Sequence, residues 1–192
     1  MTNYYIENAK SFIDDTLFVD MSEIYTPFLD RLEVGAKILD IGCGSGRDLL
    51  FFKNAGFVPT GLEPSMPLAE HARNYAKVEV WGNTIQGLKT DKKFNGVWAC
   101  ASLLHIPSNE LKACFQKIAN LVIGDGVIYA SFKHGTFEGI RNGRFFNFQT
   151  LETLQYHLPE ALKVDEFWIS SDKRKERSDE WLNIVLSCKR TN

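Results

Sequence analysis

The sequence has no cysteine pair at CxxC spacing: Cys43, Cys100, Cys114 and Cys188 are scattered singly. That excludes a disulfide framework and a zinc site built on paired thiolates. It points instead to buried thiols in a reducing cytoplasm, with no metal expected. No apolar run approaches the ~20 residues that cross a bilayer; the longest candidate, Val97 to Pro107, is roughly half that and is interrupted by His105. The first residues, Met1 to Asn8, show no basic stretch followed by an apolar core, so no signal peptide is expected. Charge of one sign is lacking too: 22 Lys and Arg face 24 Asp and Glu, for a formal net charge of −2. Such a balance exerts no long-range pull on polyanions, which argues against nucleic acid or a membrane surface as the main partner. It leaves room for a local basic pocket. Internal repeats, low-complexity tracts and linkers long enough to divide domains are also missing.

What remains is an ordinary globular composition, 192 residues and 44% hydrophobic, sized for one domain with one core over residues 1–192. Met21, Ile24, Tyr25, Phe28, Leu29 and Leu32 recur at helical spacing, with a restart expected at Pro27 and Thr26 as its cap. From Lys37 onward, strand and helix patterns alternate. Strands are expected at 37–41, 57–63, 78–81, 94–102 and 126–132. Helices are expected at 46–55 and 65–76, and from a cap at Ser108. This alternation implies βαβ units, hence a mainly parallel sheet covered on both faces. Pro59 is awkward inside a strand and suggests a strand entry or a bulge. After Phe132 the pattern changes. A segment bearing Gly and Arg, 133–148, precedes a short helix from Thr150, and strands 164–170 and 180–188 form an antiparallel hairpin. Its connecting loop interleaves Lys173, Arg174, Lys175 and Arg177 with Asp172, Glu176 and Asp179, the pattern of a charged hairpin tip.

The informative stretch is Asp40-x-Gly42-x-Gly44-x-Gly46, placed directly between the first strand and its helix. Glycines there permit a tight turn and a close backbone approach to a ligand. A dinucleotide fingerprint would need its third glycine at position 47, which is Arg47. Asp40 would also repel a pyrophosphate, whereas a ligand carrying an ammonium and a sulfonium would gain from it. Glu63 ends the second strand, where a carboxylate can accept bonds from both hydroxyls of a ribose.

With these features the sequence resembles the class I S-adenosylmethionine-dependent methyltransferases, from about Lys37 to Phe132 and arguably to the C-terminal hairpin. The resemblance implies an α/β, Rossmann-like three-layer sandwich whose seven-stranded, mainly parallel sheet ends in an antiparallel hairpin. Residues 35–192 would form the catalytic core and 1–34 a helical lid. S-adenosylmethionine would be held by Asp40, Gly42, Cys43, Gly44, Gly46, Glu63, Asn83, Thr84 and Ser102, with Asp40 near the amino acid end and Asn83 on the adenine. Asn83 replaces an acidic residue common in the family, and Asn95 replaces the usual aspartate after Phe94. The strand Trp98-Ala-Cys-Ala-Ser-Leu-Leu-His105, the segment Gly143-Arg144-Phe145 and the terminal Glu180-Trp-Leu-Asn183 further resemble a bacterial subgroup of small methyltransferases, some labelled tellurite-resistance-type.

The acceptor side is more open. His105 follows the fourth strand, at the sheet edge where ligands bind, and is either a general base or an anchor of the loop before Ser108. Lys133, Arg141 and Arg144 either clamp an anionic group on the acceptor or belong to a solvated loop. Tyr4 and Tyr5 either close the site or pack in the core. Trp81, Trp98, Trp168 and Trp181 are expected in packing roles. The family's Pro-Pro-aromatic and Pro-Cys motifs for DNA bases are missing, because Ala101-Ser-Leu-Leu-His105 and Ala99-Cys100 stand in their places. A small-molecule methyl acceptor is the reading that follows. An NAD-dependent oxidoreductase and a catalytically silent cofactor-binding module are the alternatives, and the oligomeric state is left open.

Overall fold

Parallel strands need crossovers, and the alternating segments supply them. The structure, a computed structural model, describes residues 2–174 and 177–189. In chain order the elements are α1 (Thr2–Glu7), α2 (Ala9–Thr16), α3 (Ser22–Leu29), β1 (Lys37–Ile41), α4 (Arg47–Asn54), β2 (Val58–Leu62), α5 (Met66–Ala76) and β3 (Val80–Trp81). Then come β4 (Phe94–Ala99), a 3-10 turn (Leu103–His105), α6 (Ser108–Leu121), β5 (Val122–Lys133), β6 (Glu138–Arg141), β7 (Arg144–Asn147), α7 (Leu151–Gln155), β8 (Leu162–Ser171) and β9 (Glu180–Cys188).

The main sheet has seven strands in the order β3-β2-β1-β4-β5-β9-β8. β1 to β5 run parallel, and β9 and β8 are antiparallel. This is the Rossmann-like α/β architecture that the alternation implies. The order reverses at β1, between β2 and β4, so the loops leaving β1 and β4 open a crevice at the sheet's carboxyl edge. β1 is buried from Ile38 to Ile41 and β4 from Gly96 to Ala99, as central parallel strands must be.

Pro59 sits inside β2 without cost to the ladder. The amides of Gly61 and Glu63 donate across to Glu79 and Trp81, and alternation turns the Pro59 nitrogen to that same side. There β3 pairs only with Gly61 and Leu62, so Pro59 lies beyond its reach.

Three expectations change. α3 runs unbroken through Pro27, with no restart at Thr26. Burial of Ile24, Tyr25 and Phe28, at about 1.5–3 kcal/mol for each large side chain, exceeds the ~3 kcal/mol that an interior proline costs. Ser108 is the first residue of α6 rather than its cap, and its amide and hydroxyl donate to Glu138 (3.0 and 2.5 Å). The segment 133–148, which includes both arginines, is not a solvated loop. It folds into the two-stranded β6–β7 hairpin, turned by Asn142 and Gly143 at φ 51° and 73°. Two successive positive φ values suit a tight turn matched to strand twist, and Asn-Gly is its usual sequence signal. In the β8–β9 connection, Lys175 and Glu176 lie outside the described residues.

Gly96 lets α3 lie against β4. A Cβ there would stand 2.6 Å from Phe28 Cζ and 3.0 Å from Leu32 Cδ1. Gly96→Ala should therefore push α3 off the sheet and cost about 1–3 kcal/mol, the scale of overpacking. A denaturant midpoint unchanged from the wild-type value would show that α3 is not held this way.

Candidate functional site

The loop leaving β1 is built by close approaches. Gly42, Gly44 and Gly46 all have positive φ. A Cβ on Gly42 would meet Ser102 Cβ at 2.5 Å, one on Gly44 the Phe12 ring at 2.9 Å, and one on Gly46 the Ala72 Cα at 2.8 Å. The three glycines thus bring the loop against the β4 exit, the cover helix α2 and helix α5 in turn. Glu63 then ties the loop to β2: its carboxylate accepts the Gly44 amide at 3.0 Å and the Ser65 amide at 2.8 Å. Burial raises the Glu63 carboxyl above its usual range, and the two amides oppose that rise.

Beneath the loop lies a buried charge network that the sequence reading missed. Asp48, in the first turn of α4, accepts Tyr25 Oη at 2.6 Å, Trp98 Nε1 at 2.8 Å and the Arg47 guanidinium at 2.6 and 3.1 Å. Burial pushes its carboxyl up, but Arg47 and these donors outweigh burial and hold it below the ordinary range. Asp40 has no such company. Its Oδ2 is buried without a hydrogen-bond partner among the described residues. Burial and then the Asp48 charge push its carboxyl well above the ordinary range, against Arg47.

A cavity of about 350 Å³ opens over the crevice. That size lies in the range of roughly 300–1,000 Å³ typical of small-molecule sites. Of the residues expected to hold a cofactor, Gly42, Cys43, Gly44, Glu63, Asn83 and Thr84 line it, as does Ser102. Asp40 and Gly46 lie behind the lining, Gly46 packed on α5. Of the residues expected on the acceptor side, Tyr5, Lys133 and Arg144 line the cavity with His105. Arg141 does not; it is exposed at the hairpin end, so its expected place in an acceptor clamp is not met. Tyr4 acts one layer back, its ring 4.8 Å from the Arg144 guanidinium. Lys133 is already ion-paired with Asp179 at 2.5 Å. Trp81, Trp98 and Trp168 pack in or against the core, whereas Trp181 both packs and borders the cavity.

His105 joins three parts of the chain. Its Nδ1 lies 2.7 Å from the Phe145 carbonyl and its Nε2 lies 2.7 Å from Tyr5 Oη. A carbonyl only accepts, so Nδ1 carries the proton and Nε2 accepts from the tyrosine hydroxyl. Burial pushes the imidazole down to about 4; the Phe145 carbonyl opposes this, and the charges of Arg144 and Lys133 add to it. Of the two roles expected for His105, this geometry favours the anchor: the imidazole is engaged at both nitrogens, and burial disfavours its protonated form. The Tyr5 hydroxyl is raised by its own burial, with Arg144 opposing. Phe12, which no motif marked, completes this wall, its ring 5.3 Å from that of Tyr5 and packed on Gly44.

The pH dependence has a definite sign. Unfolded His105 titrates near 6.5 and folded His105 near 4, so between those values the unfolded chain holds a proton that the folded chain refuses. Its stabilising contribution is complete above pH 6.5 and is lost as the pH falls toward 4. Unfolding titrations should show wild type losing stability against His105→Gln across that window. Parallel pH profiles would overturn the assignment.

Comparison with known proteins agrees with this geometry. Residues 38–126 match the family model described as a methyltransferase domain. An uncharacterized methyltransferase of Staphylococcus carnosus is 20% identical over 180 residues, covering 88% of this chain and 86% of that protein. Among solved structures, the 1,6-didemethyltoxoflavin-N1-methyltransferase of Burkholderia thailandensis, with bound 1,6-didemethyltoxoflavin and S-adenosylhomocysteine, superposes with a TM-score of 0.76 at 17% identity, over 98% of this chain and 85% of that one. The N-methyltransferase NodS of Bradyrhizobium japonicum, in complex with S-adenosylhomocysteine, gives 0.74 at 12% identity, over 96% and 98% of the two chains. Residues 38–126 thus match a methyltransferase domain, and the chain has the fold of the class I S-adenosylmethionine-dependent methyltransferases.

Proposed function

We propose that the protein is an S-adenosylmethionine-dependent methyltransferase acting on a small-molecule acceptor. The observation that carries this reading is the acidic glycine loop bordering the cavity. Asp40, Asp48 and Glu63 supply three carboxylates around it against the single guanidinium of Arg47. Burial pushes the Asp40 and Glu63 carboxyls up, so a ligand bearing cationic centres that favours their ionised forms suits the site, whereas a pyrophosphate would add negative charge beside them, which weighs against NAD. The cradle fits in other ways as well. Each oxygen of Glu63 accepts one amide, which leaves lone-pair sites for ribose hydroxyls. The buried Oδ2 of Asp40 and Oγ of Ser102 lack partners among the described residues. Buried polar atoms without partners are rare in folded proteins and mark places where a ligand completes the bonding.

In this reading Glu63 holds the ribose, Asp40 lies behind the loop at the amino acid end, and Asn83 with Thr84 borders the adenine. Bound there, S-adenosylmethionine would supply an electrophilic methyl group to an in-line nucleophile, with S-adenosylhomocysteine as the leaving group. The chain's own part is positioning and exclusion of water. α1 and α2, within the 1–34 segment, cover the loop through Phe12 and Tyr5. His105 holds the Tyr5 hydroxyl in place, so its part is orientation of the cavity wall. The small-molecule acceptor is supported by the cavity's size and by the aromatic and basic side chains at its far end. The whole of residues 1–192 is read as one such domain, working in the cytoplasm.

Calorimetric titration tests the reading. S-adenosylmethionine and S-adenosylhomocysteine should bind saturably and NAD should not. NAD binding without either sulfur nucleotide would sink it. Glu63→Ala should weaken S-adenosylhomocysteine by about 1–3 kcal/mol, the scale of charge-assisted hydrogen bonds. An unchanged affinity would remove Glu63 from the ribose role. Binding with no transfer to any acceptor in a broad screen would favour a silent binding module.

A further inference from the structure

We propose that the acceptor end of the cavity takes an aromatic carboxylate, anchored by the guanidinium of Arg144. This rests on the methyltransferase reading and names the chemistry of its second ligand.

The charges around the cavity point to Arg144. Arg47 is paired with Asp48, Lys133 with Asp179, Arg174 with Asp172 and Lys173 with Glu23, and Arg177, which also borders the cavity, is exposed to solvent. Arg144 has no carboxylate partner among the described residues, and its Nε is a buried donor without an acceptor among them. The side chain is held all the same. Its guanidinium lies 4.8 Å from the Tyr4 ring centre and 5.0 Å from that of Phe146, and the β6–β7 turn fixes its backbone. Aromatic neighbours favour a cation, which stabilises the position but leaves the charge without a carboxylate and the Nε donor without an acceptor among the described residues.

An oxyanion supplies both missing interactions. Among oxyanions a carboxylate matches the planar fork of Arg, which bonds it through two parallel N–H groups. The surrounding wall selects the rest of the molecule. Tyr5, Phe146 and Trp181 line the same cavity, and aromatic walls of this kind suit a flat apolar body. His105 adds no competing positive charge there, because it is neutral with both nitrogens engaged.

Benzoate and its neutral isostere benzamide separate charge from shape. With S-adenosylhomocysteine present at pH 7, benzoate should bind the wild-type chain at least tenfold more tightly than benzamide. That preference should fall several-fold when salt is raised from 50 to 500 mM, through screening. Arg144→Gln should abolish the preference, and Arg144→Lys should restore part of it. S-adenosylhomocysteine affinity, measured on each variant, should stay within twofold of wild type and so show that the fold and the cofactor half are intact. Equal binding of benzoate and benzamide by the wild-type chain would overturn the proposal, as would a preference surviving in Arg144→Gln. Failure of S-adenosylhomocysteine to bind the wild-type chain would instead overturn the methyltransferase reading, so the two failures are distinguishable.

Discussion

A carboxylate buried away from water must be satisfied, and the architecture around the crevice converges on satisfying Asp48. Its partners come from α3 through Tyr25, from α4 through Arg47 and from β4 through Trp98. Arg47 also donates to the Thr16 carbonyl at the end of α2. Desolvating one such ion costs several kcal/mol, and only a full complement of charge-assisted bonds offsets it. The helices before the sheet are therefore positioned by an electrostatic requirement as well as by the apolar contacts of Phe28 and Phe52. The arrangement also creates an imbalance, because one guanidinium serves two aspartates. Asp48 takes it, and Asp40, one strand residue from the loop, is left under-partnered. The acidic character of the cofactor end follows from that unequal division.

His105 does for the acceptor end what Asp48 does for the other. Its two nitrogens join a residue 100 positions earlier to one 40 positions later, so α1, the turn after β4 and the β6–β7 hairpin meet at one imidazole. The hairpin is held further by Asn147, whose Nδ2 donates to the Ile106 carbonyl at 3.0 Å, and by Glu138 at the start of α6. Arg144 thus stands on a short, twice-anchored ribbon rather than on a flexible loop. A cation held in place before its partner arrives loses little entropy on binding, which favours an arginine here over a longer-ranging lysine.

The parts legible in the sequence are those governed by local chemistry. The β1–glycine loop–α4 unit, the carboxylate ending β2, the sheet's parallel order and the final antiparallel strands all follow from patterns within about 30 residues, the span of a βαβ unit. What escaped depends on contacts between distant segments. Phe12 carries no motif and matters because Gly44 leaves room for its ring. Asp48 reads as an ordinary acidic residue in a first helical turn until Tyr25 and Trp98 close on it. Pro27 reads as a helix breaker because its local cost is visible and the burial of its neighbours is not. The β6–β7 hairpin is the exception, since Asn142-Gly143 between Ile140 and Phe145 was a readable turn signal. The charged and glycine-rich composition around it obscured that signal.

The two ends impose opposite fields along one cavity. Carboxylates crowd the loop after β1, while the far wall keeps a guanidinium without a carboxylate of its own. The sheet order separates the ends: Glu63 leaves β2 on one side of β1, and Lys133 leaves β5 on the other. A net charge near zero is then the sum of local excesses that cancel, not an absence of electrostatic design. On the proposed function, opposed fields would orient two ligands of opposite polarity head to head, each drawn to its own end with their reacting groups between. Nothing charged is needed at that midpoint. The neutral His105, the Tyr5 hydroxyl and the Phe12 ring add no charge to the cavity wall between the loop after β1 and Arg144. A displacement at a sulfonium disperses charge as it proceeds, and an environment that solvates charge poorly favours such a step. The depressed imidazole is therefore part of the same physical arrangement as the paired fields: it leaves the middle of the cavity uncharged where a protonated histidine would repel an incoming cation.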